Sequence, residues 1–175
     1  MNAAEQAYTP ALASKIAQIA LGFQEEFPDA EADLTPWLQD TDTRARVDPD
    51  SVDFGFHFPG RKPDCQSRSI LVEIRFSDAL LVRAARIIGI EISGYDHRGQ
   101  QWRLSTVGDW NCGGENLPTP YAQERLKRFC QVAFKLFQRP SLPASSSNKS
   151  ISEESAPDSI LDPNSNADSN DGLGL

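Results

Sequence analysis

The stretch 108–116 holds the most unusual grouping of side chains in the sequence. It places Asp109, Trp110, Asn111 and Cys112 directly before a pair of glycines. Turn formation alone does not require a tryptophan beside two glycines, and loops of this length are often functional. The loop therefore predicts a recognition element in which Trp110, Asp109 and Asn111 contact a partner. The alternative is that Trp110 folds back and covers the edge of the core.

A cysteine and a histidine raise a second possibility, a small enzyme with a thiol nucleophile. Cys112 precedes a predicted helix, whose dipole would lower the pKa of the thiol. His57 or His97 would then act as the base, and Asp109 is the other residue that could react near His57. No motif of a known cysteine enzyme surrounds Cys112, so a non-enzymatic function ranks first.

Metal and cofactor binding have little support in the spacing of the residues. The residues whose thiol or imidazole groups could bind a metal are His57, His97, Cys65 and Cys112. No two of them have the C-x-x-C or H-x-x-x-H spacing that places two ligands on one element. The Gly113-Gly114 pair lacks the lysine and the hydroxyl residue of a phosphate-binding loop. We therefore expect neither a metal nor a cofactor.

Four stretches predict strands whose polar positions share one face of a sheet. Apolar residues alternate within 52–58 and 70–76, and strands are also predicted at 87–95 and 101–107. If the apolar positions face the core, the opposite face carries Asp53, His57, Glu73, Arg75, Glu91, Ser93, Tyr95, Arg103 and Ser105. The ordinary interpretation is a solvated face with cross-strand ion pairs, and the functional one is a binding face.

A catalytic pair of carboxylates on this face is disfavoured. Glu73 and Glu91 would form the pair, and such a pair needs burial to separate the two pKa values. An open sheet face is expected to offer no such burial. The binding candidates on this face are Tyr95, Arg103, Glu91 and Arg75.

A basic stripe on the last predicted helix is the third candidate surface. Arg128, Lys135 and Arg139 lie within about 40° of one another when about 100° is assigned per residue, with Arg125 further round. The ordinary interpretation is a solvated face with cations near the helix C-terminus. The functional one is a docking stripe for an acidic partner, the acidic tail of the chain included. With Arg61-Lys62 the stripe could also bind nucleic acid, but no aromatic residues interleave with it.

The elements that must position these residues follow from periodicity and capping signals. Thr9-Pro10 and Thr119-Pro120 each place a capping side chain before a proline at the first helical position. A short helix is expected to start within 34–38, and the ambiguous stretch 77–86 is predicted as a short helix rather than an irregular link. The predicted core contains Phe54, Phe56, Ile70, Val72, Ile90, Trp102, Leu126 and Phe129.

These elements predict an α+β fold. We expect a two-layer sandwich in which an antiparallel sheet of about four strands is backed by two long amphipathic helices. Residues 1–8 are expected to be a flexible N-terminus, 9–140 the domain and 141–175 a disordered tail, because the tail has ten serines and no aromatic residue. Six of the 25 acidic and one of the 17 basic residues lie in that tail, so the domain itself is nearly balanced in charge.

Composition excludes a membrane-spanning protein and a disulfide scaffold. The apolar run 16–21 is too short to cross a bilayer, 1–10 lacks the basic region of an export signal, and three cysteines cannot all pair. We expect a cytoplasmic, non-enzymatic interaction module, an adaptor or assembly factor, that binds a protein partner through the polar sheet face or the Trp110 loop. The alternatives are a small enzyme and a nucleic-acid-associated regulator.

Overall fold

The computed structural model describes residues 1–37, 47–78 and 86–138. The predictions for the tail 141–175, for Arg139 and for most of the helix at 77–86 lie outside the described residues. The helices are α1 (Ala3–Gln6), α2 (Pro10–Glu26) and α3 (Pro120–Phe137). The strands are β1 (Glu31–Asp33), β2 (Ser51–Lys62), β3 (Ser67–Phe76), β4 (Ile87–Asp96), β5 (Gly99–Ser105) and β6 (Cys112–Gly114).

Both predicted helix caps are confirmed. The side chain of Thr9 accepts a hydrogen bond from the backbone N–H of Leu12, at the start of α2. The side chain of Thr119 accepts one from Ala122 in the same way, at the start of α3. In each case a proline occupies the first turn, where its missing N–H removes no helical hydrogen bond.

Two stretches of the N-terminal part differ from expectation. Residues 1–8 were expected to be flexible, but four of them form α1 (Ala3–Gln6), whose Ala3 and Gln6 are buried. The prediction of a helix start at 34–38 was wrong for the described residues 34–37. The carboxylate of Asp33 accepts hydrogen bonds from both the backbone N–H and the hydroxyl of Thr35, which fixes a turn instead.

The sheet is antiparallel throughout and contains six strands in the order β1-β2-β3-β4-β5-β6. The α+β class and the antiparallel sheet are therefore confirmed, whereas the expectation of about four strands was wrong. The two extra strands, β1 and β6, have three residues each, which is too short for an alternating pattern to be recognised. β2 also continues to Lys62, beyond residue 58 at which the predicted strand ended.

The core lies on one face of this sheet, against α2 and α3. All eight predicted core residues are buried. The ring of Phe23 in α2 stacks on Phe56 with centroids 3.8 Å apart and meets Phe129 of α3 edge-on at 5.1 Å. Trp102 is buried as well, and its Nε1 donates to the carbonyl of Cys65 at 2.5 Å. In the part of the chain that the structure describes, no helix has the length and apolar character needed to cross a bilayer.

Candidate functional site

The face of the sheet opposite the core brings together polar residues from neighbouring strands, and we call it the open face. Three rows cross it: Asp53, Glu73, Glu91 and Ser105; Gly55, Leu71, Ser93 and Arg103; His57, Ser69, Tyr95 and Gln100. The rows follow from the strand register, because side chains directly opposite one another across an antiparallel pair lie on the same face. The acidic row consists of Asp53, Glu73 and Glu91, one from each of β2, β3 and β4.

A buried carboxylate fixes an indole ring at one side of the open face. Asp53 is 1% exposed, and its Oδ2 accepts a hydrogen bond from Nε1 of Trp37 at 2.7 Å. The same oxygen accepts one from the amino group of Met1 at 2.5 Å. The backbone N–H of Trp37 in turn donates to Oδ1 of Asn2 at 2.9 Å. Trp37 is therefore held at both its ring and its backbone.

Beside Trp37 lies a groove of about 410 Å³ on the open face. Its lining includes Pro36, Trp37, Gly55, His57, Leu71 and Tyr95. Gly55 lets the chain before β2 approach the sheet, because a Cβ at this position would lie 3.3 Å from the Cβ atoms of both Asp33 and Pro36. The groove has the size of a ligand pocket, and its aromatic and aliphatic lining suits apolar groups.

Glu73 lies at the centre of the acidic row. Its pKa is raised, first by burial and then by the charges of Asp53 and Glu91, and Arg75 offsets only part of this effect. We expected that a carboxylate on this face would not be buried, and this expectation was wrong for Glu73, which is half-buried. Glu73 makes no hydrogen bond or ion pair within the structure described. Among the described residues no group of His, Cys, Asp or Glu side chains is arranged to hold a metal ion.

The other predicted residues of this face are mostly paired. Arg103 contacts Glu91 at 2.5 Å between its terminal nitrogen and Oε2, and Nε of Arg75 lies 3.5 Å from Oδ2 of Asp48. The pKa of the Tyr95 hydroxyl is raised, first by burial and then by the charge of Glu73. Tyr95 therefore stays a neutral phenol and presents an aromatic ring beside the groove.

The structure does not bring together the residues of the enzyme alternative. His57 belongs to β2 and lies 3.4 Å from the carboxylate of Asp33 in β1. Cys112 belongs to β6, and three strands separate it from β2. At about 4.8 Å between neighbouring strands, the two backbones are about 19 Å apart. His57 is therefore out of reach of the thiol.

The Trp110 loop is used for packing. The ring of Trp110 stacks on Phe134 of α3 at a centroid distance of 5.9 Å, and it packs against the hydrophobic core. Asp109 and Asn111 on either side are exposed. The pKa of Cys112 is raised by burial, which is the opposite of the expected effect of a helix dipole. The loop geometry thus favours the interpretation in which Trp110 covers the edge of the core.

The basic stripe is largely engaged with α2. Arg128 donates from Nε and a terminal nitrogen to the two carboxylate oxygens of Glu26, at 3.1 and 2.9 Å. Nε of Arg125 lies 3.6 Å from the same carboxylate, and its guanidinium lies over the ring of Phe27 at 4.3 Å. Lys135 is exposed in the last turn of α3. Arg125 and Arg128 of the stripe therefore join α3 to α2.

Of the groove residues named above, sequence reasoning missed four, namely Pro36, Trp37, Gly55 and Leu71. Leu71 carried a usable signal, because it is an apolar residue at a position where the alternation of β3 requires a polar one. Trp37 carried none, since its position depends on hydrogen bonds to Asn2 and Asp53, which are distant in the sequence.

Comparison with known proteins gives a family and no relatives of known function. No curated protein matches the chain, and no solved structure matches it either. One family model matches residues 4–139, a range that contains α2, α3 and all six strands. The chain therefore belongs to this family, which is described as a domain of unknown function.

Proposed function

We propose that this domain is a non-enzymatic protein-interaction module, an adaptor or assembly factor, whose partner docks on the open face. In this proposal α2 and α3 form the second layer of a two-layer sandwich behind the sheet. The helices then stabilise the fold from one side, and the opposite face stays available for a partner.

The observation that carries the proposal is the apolar groove on an otherwise charged surface. Leu71 and Tyr95 line it from β3 and β4, although the alternation of the strands calls for polar side chains on this face, and Trp37 lines it from the segment that follows β1. Apolar patches rimmed by polar groups mark interaction sites, and tryptophan and tyrosine are enriched among the residues that dominate binding energy. The buried carboxylate of Asp53 accepts a hydrogen bond from the indole of Trp37 and holds the ring in place, which favours a preorganised site.

The distribution of reactive groups supports binding over catalysis. The thiol of Cys112 is protonated at neutral pH because its pKa is raised, and it lies on the strand at the far edge of the sheet from His57. A general base must come within hydrogen-bond distance of the proton that it removes. The three cysteines are free thiols, which supports our proposal of a cytoplasmic location.

The test compares one charge inserted in the groove with the same charge inserted on the helices. The immobilised full chain captures proteins from the native host, and retained proteins are quantified by mass spectrometry for wild type, Leu71→Asp and Val132→Asp. Val132 is an exposed apolar residue on α3, so it is a matched control. We expect at least one host protein to be retained equally by wild type and by Val132→Asp. The amount of this protein retained by Leu71→Asp should be at least tenfold lower. Depletion by Val132→Asp alone would place the interaction surface on the helices instead.

A further inference from the structure

We infer that the partner presents a cationic side chain, an arginine or a lysine, to Glu73, with a neighbouring apolar side chain in the groove. This inference rests on the proposed function and names the chemistry that the open face recognises. It depends on three features of the face: the pairing of its charges, the position of Glu73 beside the groove, and the aromatic rings that line it.

Around Glu73, the other charged side chains of the open face that the structure describes are paired. Arg103 neutralises Glu91, Arg75 lies beside Asp48, and the amino group of Met1 is bound by Asp53. Glu73 lies between two of these acids and has no partner of its own within the described structure. A half-buried carboxylate between two others destabilises the folded state, because like charges directly opposite on neighbouring strands repel. A cation supplied by a partner would remove this cost.

The position of Glu73 joins the charge to the groove. Leu71 and Glu73 are two residues apart on β3, so their side chains point to the same face about 7 Å apart along the strand. A single extended peptide can therefore place one side chain over Leu71 and a basic one at Glu73. The burial of Glu73 strengthens the attraction, since a charge pair is screened less where water is partly excluded.

The aromatic rings favour the same ligand. Trp37 and Tyr95 both line the groove, and their faces attract the stem and head of a lysine or arginine side chain. Leu71 lines the groove and Glu73 lies two residues further along β3, so an extended segment that fills the groove also reaches Glu73. These observations favour a basic, partly apolar protein segment.

The experiment uses a phage-displayed library of random linear peptides selected on the full chain. A selected peptide is then synthesised twice, once as found and once with its basic residue replaced by glutamine. Both are titrated against wild type, Glu73→Gln, Glu124→Gln and Leu71→Asp by calorimetry. Glu124 is an exposed acid on α3 that contacts Lys127 at 3.3 Å, so its variant makes the same change in net charge away from the groove.

We expect the glutamine-substituted peptide to bind wild type and Glu124→Gln at least tenfold more weakly than the original peptide does. On Glu73→Gln the difference in affinity between the two peptides should be much smaller. Such coupling assigns the cation to Glu73. Peptides that lose binding on Leu71→Asp but show no coupling to Glu73 overturn this inference and leave the proposed function standing. If no peptide is selected, or if binding is indifferent to Leu71→Asp, both the proposed function and this inference fail.

Discussion

The two faces of the sheet differ in how completely the fold itself explains their residues. On the face that packs against α2 and α3, Phe54, Phe56 and Trp102 are almost fully buried, and burial accounts for them. On the open face Leu71 and Tyr95 are half-buried, and Glu73 lies between two other acids. Packing alone gives no reason for this arrangement.

The difference teaches that departures from the strand pattern are more informative than the pattern itself. The alternation of β2 and β3 separates a core face from a polar face, as any half-buried sheet requires. Leu71 is such a departure, since it exposes apolar surface on the polar face. Glu73 follows the alternation but has no ionic partner within the described structure. Residues that cost stability are expected at functional sites, where selection for binding outweighs stability.

The largest expected effect is on the core face. Phe56→Ala should lower the free energy of unfolding by about 3–5 kcal/mol, because it empties a fully buried site and removes the stacking on Phe23. Urea denaturation measures the change. Leu71→Ala on the open face is the control, and we expect a loss of under about 1.5 kcal/mol because this side chain is only half-buried. Equal losses would contradict the assignment of the two faces.

A matched pair of glycines sharpens the comparison. In Gly94→Ala the new Cβ would approach the ring of buried Trp102 within 2.3 Å, so we expect a loss of about 1–3 kcal/mol. In Gly55→Ala the nearest atoms are 3.3 Å away, and we expect a loss of under about 1 kcal/mol. Both changes are measured by thermal unfolding. A larger loss for Gly55→Ala than for Gly94→Ala would show that Asp33 and Pro36, which lie against Gly55, are packed as tightly as the core.

Trp110 provides a third test, because its loop was the first candidate for binding. Trp110→Ala should lower stability by about 1–2 kcal/mol through loss of the stacking on Phe134 and of part of the core packing. Partner or peptide binding at the open face should be unchanged. Loss of binding with unchanged stability would return the interaction site to the loop.

The smallest effect is expected at Glu73, and its sign is opposite to the others. The raised pKa means that folded Glu73 holds its proton more tightly than the unfolded chain does, so ionisation destabilises the fold as the pH rises through the folded pKa. The groups that act on it are Asp53, Glu91, Arg75 and the N-terminal amine. Glu73→Gln should therefore raise the melting temperature at pH 7, with a gain that shrinks as the pH falls to about 4, the ordinary pKa range of a glutamate. A lower melting temperature at pH 7 would contradict the assigned environment.

Local signals in the sequence were sufficient for much of the fold. The Thr-Pro pairs at 9–10 and 119–120 predicted both helix starts, and the alternating phenylalanines of β2 predicted the core face. Such signals are local, because they depend on neighbours within a few residues. The strands β1 and β6 were missed because three residues form no period.

The groove could not be predicted in the same way. Trp37 reaches the open face through a contact with Asp53, sixteen residues further along the chain. The pKa of Glu73 depends on its burial and on acids from two neighbouring strands, which become neighbours only in the folded register. Tyr95 and Arg103 were predicted on the correct face, but the sequence contained no signal that a groove lies beside Tyr95.

The most direct test of the binding surface is site-specific photo-cross-linking in the native host. A photoreactive phenylalanine analogue is placed at Leu71 in one variant and at Val132 of α3 in another, and the cross-linked products are resolved by gel and mass spectrometry. Both positions tolerate substitution, because neither side chain is fully buried. We predict a discrete cross-linked protein from position 71 and none from position 132. A product from position 132 alone would contradict the account and assign the interaction to the helices.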